Sequence, residues 1–150
     1  MHYPFVLFNE KIDHRPIFPD LAGDPYIADL SPASSLLAGI DPRDQRQLQQ
    51  ILEAEMADRY SWGFSPYLEH RDTLLGDCPQ MVADQRFIHL GLDIIVPLAT
   101  PLHAPLDGVV AERGYESGEG NYGAFVLLRH EASGAGSDFK PFYSFYGHLN

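Results

Sequence analysis

His89-Leu90-Gly91-Leu92-Asp93-Ile94-Ile95-Val96-Pro97 reads in two ways, and the choice between them decides the fold. A helix would bring positions i and i+4 onto one face, as in the helical zinc motif His-Glu-x-x-His. The run from Leu92 to Val96, β-branched and closed by Pro97, reads instead as a strand. In a flat strand His89 and Asp93 would share a face but stand roughly 13 Å apart, too far for bonds of about 2 Å to one ion. The chain must therefore bend between them. Gly91 is expected to permit the bend by taking positive φ. This places His89 in a loop and Asp93 at a strand start. A neutral imidazole and a carboxylate are ordinary ligands for zinc, which in catalytic sites takes three protein ligands and keeps one position open.

Working outward, the chain after Arg86 is mostly strand. Leu92–Val96, Gly108–Arg113, Ala124–His130 and Phe142–Gly147 are short β-branched and aromatic segments separated by Gly, Pro and Ser. Their connections leave no room for helices, so antiparallel pairing is expected. Before residue 85 the character differs. Pro16, Pro19, Pro25, Pro32 and Pro42 interrupt any long regular element between His14 and Asp44. One helix stands out, with Asp41 as cap, Pro42 in its first turn and Leu48, Ile51, Leu52, Glu55, Met56 and Arg59 on one face, ending near Tyr60 to Gly63. Ser61 to Leu68 adds aromatic mass, as groove lining or as packing surface. The fold class is therefore α+β and mainly β. An antiparallel core over residues 86–150 follows a partly helical, Pro-rich extension over residues 1–85.

Composition narrows the partners. The 150 residues are 45% hydrophobic and 12% aromatic, enough for one sizeable core. Ten basic residues against 21 acidic give a formal charge of -11, with no basic cluster. Nucleic acid and anionic membranes are excluded as expected partners, because both are bound largely through Lys and Arg. The single cysteine, Cys78, has Asp77 and Pro79 beside it and no cationic neighbour, so it reads as structural in a reducing compartment. The apolar patch at Met1 to Phe8 has no cationic start and is broken by Pro4. No stretch approaches the roughly twenty apolar residues of a membrane span, so a soluble, cytoplasmic protein is expected.

Four motifs in order, His89-Leu-Gly-Leu-Asp93-Ile-Ile-Val-Pro97, Thr100-Pro-Leu-His-Ala-Pro-Leu-Asp-Gly-Val-Val110, Asn121-Tyr-Gly123 and Tyr146-Gly-His-Leu149, together resemble the M23 family of zinc metallopeptidases, the LytM or lysostaphin type. The resemblance spans residues 86–150, and its wording is nearest to M23 domains fused to kinase-like and aminotransferase domains. It implies an M23-type sheet core with Zn2+ as cofactor and His89 and Asp93 as two of three metal ligands. His148 would then be a catalytic histidine that stabilises the developing oxyanion or moves a proton. The implied substrate is a peptide or peptidoglycan-like cross-bridge lying in a groove across the sheet.

The family's third ligand and second catalytic histidine come from a His-x-His motif beyond the position of His148, and none occurs in these 150 residues. Three explanations stand: a longer reading frame, a degenerate form, or a partner chain that completes the site. The unpaired sheet edge after Tyr146 to Leu149 favours the first. The competing functional reading is a catalytically inactive LytM-like binding or regulatory module, or an accessory domain of a larger metabolic enzyme. Absence of an export signal argues against a cell-wall substrate. Residues 1–85 are expected to act as an inhibitory lid.

The remaining candidates read blandly. His103 and His130 are taken as ordinary surface or sheet histidines, and His2, His14 and His70 have no supporting spacing. Gly118-Glu-Gly-Asn-Tyr-Gly123 fits a nucleotide-binding pattern, but it joins two strands and opens no helix, which makes it a hairpin connection. Ala132 to Ser137 is a second loop. Ser144 with His148 is too weak a pair for serine chemistry.

Overall fold

The computed structural model describes residues 14–41, 44–118, 120–131 and 141–149. They form six strands and three α-helices, with strand content exceeding helix, in two separate three-stranded sheets. The expectation of a single sheet after Arg86 is corrected. The strand that begins at Asp93 pairs with the N-terminal half of the chain instead.

The first sheet contains β1 (Tyr26–Ile27), β2 (Gly63–Ser65) and β3 (Asp93–Ile95) in that order. β1 runs parallel to β2, with Tyr26 opposite Gly63, and β3 runs antiparallel to β2, with Ser65 opposite Asp93. The sheet is therefore mixed rather than purely antiparallel. Gly63 is required by the closeness of its neighbour, since a Cβ there would lie 2.8 Å from the Tyr26 carbonyl oxygen. Ala28, Leu30 and Leu37, all from the Pro-rich stretch, are buried apolar residues of this region. Buried with them are two polar side chains, Ser65 and Glu69.

Helix α1 (Gln45–Met56) is capped by Asp44, whose carboxylate accepts from the Arg46 and Gln47 backbone N–H groups at 3.0 and 3.3 Å. Asp44 thus takes the capping role expected of Asp41, because its side chain reaches the orphan donors of the first turn. Pro42, expected in that turn, lies outside the described residues. The helix also stops earlier than expected, at Met56, where the chain turns through Asp58 at φ 56°. Leu48, Ile51, Leu52 and Met56 form its half-buried face, while Glu55 and Arg59 are exposed. Two short helices, α2 (Asp72–Leu75) and α3 (Pro79–Ala83), follow β2.

The second sheet is the meander of β4 (Val109–Glu116), β5 (Gly123–His130) and β6 (Phe142–Leu149), all antiparallel. The connection from β4 to β5 carries positive φ at Gly118, Gly120 and Gly123, which identifies the glycine pattern there as a hairpin connection. The second loop, Ala132 to Ser137, lies outside the described residues. Strand β4 is exposed along its whole length, and β5 supplies the buried Phe125 and His130. His130 is 2% exposed. One ring nitrogen, Nδ1, stands 3.0 Å from the Asp107 carbonyl oxygen and Nε2 stands 2.7 Å from Ser144 Oγ. A carbonyl only accepts, so Nδ1 donates to it, and Nε2 shares the second hydrogen bond with the Ser144 hydroxyl.

Two compact units emerge from the packing: Asp20–Thr100 with Gly118–Asn121, and the other described residues, 14–19, 101–117, 122–131 and 141–149. The change of composition near residue 85 falls inside the first unit. Among the described residues no helix is long and apolar enough to cross a membrane.

Candidate metal centre

The site is built where two segments of the first unit run side by side. Strand β3 starts at Asp93, and its register with β2 places that residue beside Ser65. Before β3, residues 87–89 lie antiparallel to residues 68–71. Leu68 N–H donates to the His89 carbonyl at 2.8 Å, His89 N–H to the Glu69 carbonyl at 2.9 Å, and Arg71 N–H to the Phe87 carbonyl at 2.7 Å. His89 is thus fixed by backbone bonds on both sides while remaining outside any strand, and the chain turns before Asp93.

The turn brings His89 Nε2 to 3.5 Å from Asp93 Oδ1. Two donors at bonds of about 2.0 to 2.1 Å in tetrahedral geometry stand roughly 3.3 Å apart, so this separation suits two ligands of one ion. Gly91 contributes differently from the sequence expectation. It is not among the residues with positive φ. A Cβ on it would lie 2.9 Å from His89 Nε2, so the glycine is needed for the space in which the imidazole folds back.

Behind Asp93 lies a polar cluster absent from the sequence reading. Arg71 Nη2 is 2.7 Å from Asp93 Oδ2, and its Nε is 2.8 Å from Glu69 Oε2. The same Nη2 donates to Ser65 Oγ at 2.8 Å, and the Ser65 hydroxyl donates to Glu69 Oε2 at 2.6 Å. Glu69 Oε1 accepts the Leu30 backbone N–H at 2.8 Å, tying the cluster to the apolar core. The side chains of Glu69 and Arg71 are 6% and 11% exposed, whereas Asp93 is 37% exposed. One guanidinium faces two carboxylates here, and the open one is the candidate ligand. That imbalance favours a cation at the exposed end.

Among the described residues no group of three or more His, Cys, Asp or Glu side chains could hold a metal ion. His89 and Asp93 are two donors with suitable chemistry and separation, and the described residues supply no third. His148 belongs to the other unit. It is exposed at the end of β6, where two steps along β5 from Ala124 to Val126 oppose three along β6 from Tyr146 to Leu149. This bulge holds His148 at φ 55°, and its backbone N–H donates to the Tyr122 carbonyl at 2.7 Å. A bulge re-aims the side chain it carries, and positive φ at a non-glycine residue marks a conformation imposed by its surroundings.

The other histidines are accounted for more simply. His130 is committed through both nitrogens, and its partner Ser144 is therefore not paired with His148. His103 is exposed, with its backbone N–H donating to the Ile17 carbonyl at 2.8 Å. His70 is half exposed, 3.5 Å from Asp72 and near the Phe87 ring. His2 lies outside the described residues. No protein-family model, curated protein or solved structure matches the chain.

Proposed function

We propose that this chain carries part of a zinc-dependent metallopeptidase site of the M23 type. The observation that carries the reading is the 3.5 Å approach of His89 Nε2 to Asp93 Oδ1, imposed by a turn that a glycine keeps clear. In this reading the two side chains are metal ligands, and further coordination comes from outside the described residues. Bound there, zinc supplies Lewis-acid polarisation of a carbonyl and a nucleophile at neutral pH. By the motif resemblance the proposed role of His148 is catalytic, as an imidazole that stabilises an oxyanion or moves a proton. The substrate is a peptide, with peptidoglycan-like cross-bridges as the class the motif resemblance suggests. The acidic chain suits a neutral or cationic ligand and disfavours nucleic acid.

The two-donor set favours a second reading, a binding or regulatory module that no longer hydrolyses peptides. Metal content and hydrolysis separate the two. The peptidase reading expects zinc near one equivalent per chain and cleavage of Gly-containing peptides, both lost in His89→Ala. A zinc-free protein with no hydrolysis, identical to His89→Ala, would sink it. Zinc retained without cleavage would favour the binding module.

A further inference from the structure

We propose that Arg71 is the positioning residue of this metal centre, setting which carboxylate oxygen of Asp93 faces the ion. The inference rests on the reading of His89 and Asp93 as metal ligands. A carboxylate on a strand edge rotates freely about its last bond and presents either oxygen. Here Arg71 Nη2 holds Oδ2 at 2.7 Å, while Oδ1 is the oxygen turned to His89 at 3.5 Å. The two oxygens therefore have different tasks.

Arg71 is itself held from three sides, which makes it a fixed post. Its Nε bonds Glu69 Oε2 at 2.8 Å, its Nη2 bonds Ser65 Oγ at 2.8 Å, and its backbone N–H bonds the Phe87 carbonyl at 2.7 Å. Glu69 is anchored in turn by the Leu30 N–H and the Ser65 hydroxyl. The planar fork of arginine can bond Glu69 and Asp93 at once, along two directions that a lysine ammonium on a flexible stem cannot hold together. Outer partners of this kind orient the ligand oxygen and typically change metal affinity about 10–100-fold when removed. The Arg71 charge acts in the opposite sense, repelling a cation. A tightening of metal binding on its removal would therefore assign it as a competitor of the ion.

The test titrates Co2+, as a spectroscopic stand-in for zinc, into the full chain and its variants, with circular dichroism checking that each is folded. His89→Ala tests the metal reading. Arg71→Lys keeps the charge that Glu69 needs but loses the fork. The pair Glu69→Gln with Arg71→Met removes both buried charges together, leaves an acceptor for Leu30, and covers the case where Arg71→Lys does not fold. The expected result is a Co2+ visible spectrum in the native chain that His89→Ala abolishes. Affinity should fall by at least about tenfold in the Arg71 variants, with altered band positions. Native-like or tighter Co2+ binding with an unchanged spectrum in those variants overturns the positioning role and leaves the metal reading standing. A native chain indistinguishable from His89→Ala overturns both.

Discussion

Gly91 lies against the imidazole of His89 so closely that a single methyl group on it would stand 2.9 Å from Nε2. The obstructing atoms belong to a side chain, which can swing away, and the backbone here is not in the left-handed region. Gly91→Ala should therefore leave the fold intact and displace the ring. The expected outcome is a thermal midpoint within a few degrees of native, because lost chain entropy in the unfolded state offsets local crowding. Co2+ binding should weaken by about tenfold as one donor moves. An unchanged affinity would show that the imidazole sits elsewhere when the ion is bound.

The Glu69 carboxylate should be the most sensitive buried polar group beside the first sheet. It accepts from Leu30, Ser65 and Arg71 together. Glu69→Ala leaves a nearly buried guanidinium with Asp93 as its remaining carboxylate, and breaking such a pair costs about 3–5 kcal/mol. Glu69→Gln keeps an acceptor for Leu30 and should cost clearly less. Urea unfolding of both variants measures the difference, and equal losses would show that charge rather than hydrogen bonding dominates.

His130 should matter to stability and not to metal binding. Ser144→Ala removes the partner of Nε2 on a ring that is itself buried, at a cost of about 1–3 kcal/mol. His130→Ala also loses the bond to Asp107 and the ring stacked on Phe142 at 4.8 Å, and should cost more. Denaturant midpoints together with Co2+ titration check this, and a Co2+ spectrum altered by either variant would reopen the role of His130.

Tyr26 sets an alkaline limit for the first sheet. Partial burial raises its hydroxyl pKa, with the Glu55 charge adding to the effect and Arg59 opposing it. A raised folded-state pKa means that the native protein holds this proton more tightly than the unfolded chain. The corresponding stability is present below the ordinary tyrosine value of about 10 and is lost as pH rises through the folded value. Tyr26→Phe should flatten the fall in urea midpoint between about pH 9 and pH 11 without moving the midpoint at neutral pH much. An undiminished alkaline slope would place the titration on another group.

Strands β4, β5 and β6 were legible because each is long, rich in β-branched and aromatic residues, and bounded by Gly, Pro or Ser; their starts fall within one residue of expectation, while β4 and β6 run on to Glu116 and Leu149, past the expected Arg113 and Gly147. Strands β1 and β2 were not. Two and three residues cannot display a period, and Gly63 carries no side chain to mark a face. The α1 cap was misplaced by one turn because Asp41 and Asp44 are both good caps, and only the geometry shows which one meets the free N–H groups. At the site, the spacing of His89 and Asp93 was visible and so was the need for a bend. The Ser65, Glu69 and Arg71 cluster was hidden, since Ser65 meets Asp93 only through the register of β2 and β3. A glutamate and an arginine two apart beside an aromatic run were the available signal.

The connectivity of the two sheets also orders their assembly in time. The meander joins each strand to the next along the chain, so its closure entropy is small and it can zip from its hairpins. The sheet beneath the site pairs Tyr26 with Gly63 and Gly63 with Ile95, contacts that wait on long intervening segments. His89 and Asp93 are local in sequence, but Asp93 meets Ser65, which anchors Arg71, only once the slower sheet has paired. Pulse-labelled hydrogen exchange should accordingly find amides of β5 protected before those of Leu30 and Arg71, making competence at the site a late event in folding.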